Sequence, residues 1–266
     1  MINLNALLKR RVEYYEHPWA VESKLRYAQA YLRSLFQAPD VTFVFGKSMP
    51  RSGHRFLTDC LERYFGEELA YCGFYSNADC CKKIPCTKPY NASRTNHYFL
   101  QKSHDFGFRD SPALKGKYLI QYRSPIPRLQ SNYDLHLVRS GGKPSEADFR
   151  AFAETETIYF INFYRKWVAA SRPNTFTVTY EDLVARQQRT LIAVISFIQG
   201  NSSIKGAAFT KMIEQCPVGG NDLTPTNLRN PKEYPYGDAE FFARLERQVA
   251  DACGSERIKF HFIKAA

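Results

Sequence analysis

The stretch KSMPRSGHRFL, residues 47–57, sets a proline, an arginine, a serine and a glycine in a row between an apolar and an amphipathic run. This composition suits a loop that holds an anion. VTFVFG (41–46) reads as a buried strand. Residues 53–65 carry Phe56, Leu57, Cys60, Leu61 and Tyr64 at helical spacing. The loop therefore leads from a strand into a helix, whose first backbone N–H groups have no intrahelical partner and carry partial positive charge. Gly53 permits close backbone approach; Arg51, His54 and Arg55 add side-chain donors. A phosphate is the natural guest, although a plain helix start with solvated arginines has the same composition.

The loop is not a Walker A loop, GxxxxGK[ST]. Gly46 and Gly53 are too far apart, and His54 follows Gly53. A kinase or ATPase reading is weakened by this and stays open.

The elements that position the loop come next. HYFLQKSH (97–104) and KYLIQYR (117–123) read as strands, and Pro125 and Pro127 suit the first turn of a following helix. Residues 148–169 form an aromatic helix, TFTVTY (175–180) a strand, and 181–200 a helix ended by Gly200. A helix over 238–252 and a strand RIKFHFI close the chain. Residues 19–36 have helical spacing, so 1–40 reads as a helical N-terminal extension, and 66–96 reads as irregular. Strands alternating with helices predict an α/β fold with a mostly parallel sheet flanked by helices. Ligands bind such sheets at the C-terminal strand ends. The loop at 47–54, His104 and Arg123 all fall there.

The chain has 266 residues, 44% of them hydrophobic, enough for a proper core, and a formal net charge of +11. That surplus favours anionic partners. It is spread along the chain, and no RRM or zinc-finger pattern occurs, so nucleic acid is not the expected partner. No run of about 18 apolar residues occurs and no apolar leader opens the sequence, which leads us to expect no transmembrane segment and a cytoplasmic protein. The seven cysteines lack paired metal spacing; free thiols are expected, with a local disulfide among Cys80, Cys81 and Cys86 left open. No metal ligand set stands out.

PRSGHRF resembles the 5′-phosphosulfate loop of sulfotransferases that use 3′-phosphoadenosine-5′-phosphosulfate (PAPS), roughly P-K-[ST]-G-T-T-W in the cytosolic members. Pro50, Ser52 and Gly53 match, Arg51 stands for the lysine, and Phe56 stands for the aromatic residue that stacks on adenine. His54 and Arg55 replace two threonines. YLIQYRSPIPRLQSNY resembles the family's 3′-phosphate motif, with Arg123 at a strand end and Ser131 on the next helix. Such an arginine and hydroxyl can converge on one phosphate. QKSHDF resembles the segment that bears the family's catalytic histidine, here His104. VTYEDL puts Tyr180 where the family has a tyrosine near adenine, and LRNP puts Arg229 where it has a basic closing loop.

The resemblance spans about residues 41–232, with the N-terminal helices and 66–96 outside it, and implies one P-loop-like sulfotransferase domain; we expect that domain to run over 1–266, with 66–96 as a variable segment on the acceptor side. It implies transfer of a sulfuryl group from PAPS to a hydroxyl or amine of a small-molecule or carbohydrate acceptor, with no metal. His104 would be the general base and Arg51 an electrostatic stabiliser of the leaving nucleotide. Lys102, two residues before His104 and on the same strand face, could assist or be solvated. Kinase-like phosphoryl transfer, or a non-catalytic module that binds an anion or nucleic acid, is the alternative.

Overall fold

In the computed structural model the described residues are 32, 41–73, 84–86, 97–110, 112, 114–170, 172–218 and 235–254. The expected N-terminal helix, the closing strand RIKFHFI and most of 66–96 and 217–237 lie outside them.

Five strands form one sheet: β1 (Thr42–Ser48), β2 (Leu69–Cys72), β3 (Tyr98–Ser103), β4 (Lys117–Tyr122) and β5 (Thr175–Thr179). Their order is β2-β3-β1-β4-β5, and every pair is parallel. The helices are α1 (His54–Phe65), α2 (Pro125–Ser140), α3 (Glu146–Phe163), α4 (Tyr180–Ala185), α5 (Gln187–Gln199), α6 (Gly206–Gln215) and α7 (Ala239–Cys253). A π-turn, Tyr164–Val168, continues α3.

Strand alternation divides the core in two. Phe43, Phe45, Phe99, Tyr118, Ile120 and Tyr122 face Tyr159, Phe160, Phe163, Tyr164 and Trp167 of α3 and its π-turn. Val44, Leu100, Leu119 and Val178 face Leu57 and Leu61 of α1 and Leu191, Val194, Ile195 and Ile198 of α5. Burial on both faces explains why the central strands are continuous apolar runs. A third cluster joins the start of α2 to α3 and α7 through Ile126, Tyr133, Phe149, Phe152, Phe241 and Leu245.

Four expectations change. β1 runs on to Ser48, so the connection to α1 begins at Met49. Leu69–Cys72, expected to be irregular, is an edge strand on β3. The helix expected over 181–200 is two helices, because Arg186 (φ −137°, ψ 43°) breaks the run. The helix Gly206–Gln215 was not anticipated; it packs Met212 on the α1 side of the sheet.

From β1 the chain crosses to one side of the sheet, and from β3 it crosses back to β4 on the other. β1, β3 and β4 thus meet at the switch point, where the C-terminal strand ends leave a crevice. The loop after β1, His104 after β3 and Arg123 after β4 open onto it.

Candidate functional site

The loop after β1 is built around its own backbone. Arg51 (φ 64°) and Gly53 (φ 78°) both adopt the left-handed region. Ser52 Oγ donates to the Met49 carbonyl at 2.7 Å, so its hydroxyl is spent inside the loop. Gln121 of β4 donates through Nε2 to the Ser52 carbonyl at 2.7 Å. Gly53 lies against Tyr180: an added Cβ would come within 2.7 Å of the Tyr180 ring. Glycine is required twice here, for backbone conformation and for space.

Two helix N-termini face the crevice. α1 begins at Gly53 and α2 at Ser124; neither has a side-chain cap bond or an acidic residue in its first turn. By contrast α4, which supports them, is capped by Thr179 Oγ1 accepting from the Asp182 N–H at 3.0 Å. That cap explains the YED segment. It fixes Tyr180 beside Gly53, and it lets Glu181 Oε1 accept the Ser124 N–H at 2.9 Å.

Arg123 is 2% exposed, and its guanidinium lies over the Tyr180 ring at 4.4 Å. Burial lowers its pKa, and Tyr180 and Glu181 oppose that shift. A guanidinium stays charged under such a perturbation. Arg123 Nε, Ser124 Oγ and Tyr180 Oη are buried without a hydrogen-bond partner. Buried donors are normally satisfied, so this group has hydrogen-bonding capacity left for a ligand. Ser131, 3% exposed, lies in the second turn of α2 and accepts from Arg51 Nε at 2.8 Å. The loop after β1 and the segment after β4 are thereby in direct contact.

His104 follows β3 on the same side of the crevice. Its Nδ1 lies 2.6 Å from the Ser48 carbonyl and 3.3 Å from Ser48 Oγ. A carbonyl can only accept, so Nδ1 carries the proton and Nε2 is the basic nitrogen. The His104 carbonyl accepts from Tyr159 Oη at 2.6 Å. Burial, then Lys102, brings the imidazole pKa down to about 3; the Ser48 carbonyl opposes this and Arg139 adds to it. Lys102 is itself shifted down by burial and Arg139.

The remaining sequence candidates are placed as follows. His54 is turned inward: Nε2 lies 3.2 Å from Thr58 Oγ1 and 3.3 Å from Tyr71 Oη, so the loop presents its backbone N–H rather than its ring. Arg55 is exposed. Phe56 is half-buried against the α1–α5 cluster. Arg229 lies outside the described residues, as do Cys80 and Cys81. Cys86 is buried, and its N–H donates to Gln101 Oε1 at 2.9 Å.

Sequence reasoning missed the support beneath the site. Gln121, Glu181 and Tyr159 each hold backbone of a candidate residue. Lys47, read as part of the loop, is a buried β1 side chain paired with Asp110 at 2.6 Å. Its alternation with Phe43 and Phe45 was the available signal.

No protein-family model matches the chain, and no curated protein matches it in sequence. A solved structure does match in fold: mouse sulfotransferase SULT7A1 complexed with PAP, at a TM-score of 0.59 and 14% identity, over 86% of this chain and 90% of that one. Five parallel strands flanked by helices, in the arrangement described above, give this chain the sulfotransferase fold.

Proposed function

We propose that the chain is a PAPS-dependent sulfotransferase that acts on a hydroxyl or amine of a small-molecule or carbohydrate acceptor. One observation carries the reading: an anion-shaped loop and a second cluster of unpartnered buried donors, Arg123, Ser124 and Tyr180, meet through the Arg51–Ser131 bond. Two anion sites joined in this way suit a nucleotide with phosphate at both the 3′ and 5′ positions. The fold likeness to a sulfotransferase solved with PAP supports the same reading. We further place it in the cytoplasm, because Cys60, Cys216 and Cys253 are free thiols. Among the described residues, no helix is long and apolar enough to cross a membrane.

Arg123 and Ser131 would hold the 3′-phosphate. Arg51 and the backbone N–H groups of Ser52, Gly53, His54 and Arg55 would hold the 5′ end, with Phe56 and Tyr180 near the base. When bound, the nucleotide supplies the sulfuryl group and leaves as adenosine 3′,5′-bisphosphate. His104 Nε2 accepts the acceptor's proton as its oxygen or nitrogen bonds to sulfur. Arg51 hydrogen-bonds the bridging oxygen where charge develops; a guanidinium does this electrostatically, without giving up its proton. Holding acceptor and donor in line accounts for much of the rate.

Thermal unfolding with nucleotides tests the reading. Adenosine 3′,5′-bisphosphate should raise the midpoint, and ATP with Mg²⁺ should not. Equal stabilisation by both would favour phosphoryl transfer and overturn the proposal.

A further inference from the structure

Directly after His104, Asp105 sits in the left-handed region (φ 47°) although it is not glycine, and it is 3% exposed. Such a conformation persists only where its surroundings over-determine it. Here they do. Asp105 Oδ2 accepts from Lys166 Nζ at 2.7 Å and from Trp167 Nε1 at 2.9 Å. Oδ1 accepts from the Asp110 N–H at 2.9 Å, and the Asp105 N–H donates to Ser103 Oγ at 3.0 Å. Lys166 Nζ also donates to the Phe108 carbonyl at 2.8 Å, closing the turn in which Phe108 N–H donates to the Asp105 carbonyl at 2.9 Å. Asp110 in turn pairs with Lys47 and accepts from Ser103 Oγ.

The source of these partners matters. Lys166 and Trp167 come from the π-turn Tyr164–Val168, and Tyr159, which donates to the His104 carbonyl, comes from the α3 helix that the turn continues. A π-turn widens the helix by one residue and redirects the side chains after it; such turns recur at functional sites. One helix thus grips the His104–Asp105 peptide on both sides. The side chains of Lys166 and Asp105 are each 1% exposed, so neither charge can relax into water if the pair opens. A buried pair of this kind is weak evidence for stability; its best use is to specify one geometry.

We propose that the buried Lys166–Asp105 pair, presented with Trp167 by the π-turn, is a positioning device that holds His104 in its Nδ1–H tautomer against the Ser48 carbonyl. Its relevance to catalysis rests on the sulfotransferase reading; the tautomer claim stands apart from it. Lys166, Asp105 and Trp167 act through the backbone of His104 rather than on the reacting atoms. The charged groups around this peptide are Lys47, Asp110 and Lys166 on the α3 side, and Lys102 and Arg139 on the imidazole side.

The test is ¹⁵N-detected NMR of the histidine imidazoles in the full chain, with Lys166→Met and the milder Trp167→Phe as variants. Circular dichroism and calorimetric binding of adenosine 3′,5′-bisphosphate report fold and nucleotide site. In the wild type, the two His104 nitrogens should resonate far apart, as expected of a single Nδ1–H tautomer. In the variants they should converge toward a tautomer average while nucleotide affinity is kept. Folded variants with wild-type His104 resonances would overturn the proposal, and Trp167→Phe decides it alone if Lys166→Met does not fold. Absence of nucleotide binding in the wild type would instead overturn the sulfotransferase reading and leave the tautomer result standing.

Discussion

Arg51 Nε donates to Ser131 Oγ at 2.8 Å and joins the loop after β1 to the helix after β4. One side is a left-handed arginine in a strand-to-helix loop; the other is a buried hydroxyl on α2. Neither residue is near the other in sequence. Their contact means that whatever engages Ser131 also bears on the orientation of the Arg51 guanidinium.

A selective effect on the 3′-phosphate follows. Arg123→Ala removes a buried cation whose Nε has no protein partner. A charge-assisted hydrogen bond contributes about 1.5–3 kcal/mol, equivalent to about 10- to 100-fold in affinity. Calorimetry should show that loss for adenosine 3′,5′-bisphosphate and little change for adenosine 5′-phosphate. Parallel losses for both would remove Arg123 from the 3′ site.

Gly53→Ala should damage the loop without touching its chemistry. The new methyl would lie 2.7 Å from Tyr180 on a backbone at φ 78°. Left-handed strain at a residue other than glycine costs about 1–3 kcal/mol, and displacement of Tyr180 would disturb its packing on Arg123. Urea unfolding should therefore shift, and nucleotide affinity should fall with it. A variant as stable as the wild type would mean that the loop accommodates a Cβ and that the close approach is incidental.

The sequence legibility of this site follows its chemistry. β1, β3 and β4 were readable because Phe43, Phe45, Leu100, Leu119 and Ile120 are buried from both faces. β2 was not, because Leu69–Cys72 is four residues long and lies at the edge, in a stretch of mixed composition. Arg51, Ser52, Gly53 and Arg123 were legible as anion-binding types at strand ends. The inward turn of His54 was not: a histidine in a basic loop reads as a donor, and only the packing of Tyr71 and Thr58 reveals otherwise. Lys166 and Asp105 look in sequence like any solvated charges; their pairing across 61 positions is a product of tertiary structure.

His104 should titrate differently with and without nucleotide. In the free protein its pKa is brought down to about 3, first by burial and then by Lys102. An anion in the crevice offsets the Lys102 and Arg139 charges and favours the imidazolium. NMR titration with adenosine 3′,5′-bisphosphate should therefore move the His104 pKa upward, toward the range useful to a general base. His104→Ala should keep nucleotide binding and abolish transfer. A pKa unchanged or lowered on binding would mean that the nucleotide's charge does not lie near the imidazole, and a variant that no longer binds nucleotide would place His104 in the phosphate site instead.

His54 should set part of the acid limit of stability. Its imidazole is 7% exposed, and burial, followed by the Lys102 and His104 charges, holds its pKa well below the usual 6.5. In the unfolded chain the ring takes a proton as pH falls through about 6.5, while in the folded chain it does not. The unfolded state therefore binds more protons below that pH, so stability rises with pH there and is lost on acidification. By pH 5 the loss from one such histidine is at most about 2 kcal/mol, a ceiling set by the unfolded-state titration alone. His104 acts in the same direction, whereas Asp105, pushed up to about 6 by burial and Asp110, acts in the opposite one. The contribution of His54 is isolated by comparing wild type with His54→Gln, which keeps an amide between Thr58 and Tyr71. Urea unfolding at pH 7.5 and pH 5 should show a larger acid loss in the wild type, by up to about 2 kcal/mol. Equal losses would mean that the folded protein protonates His54 as readily as the unfolded chain does.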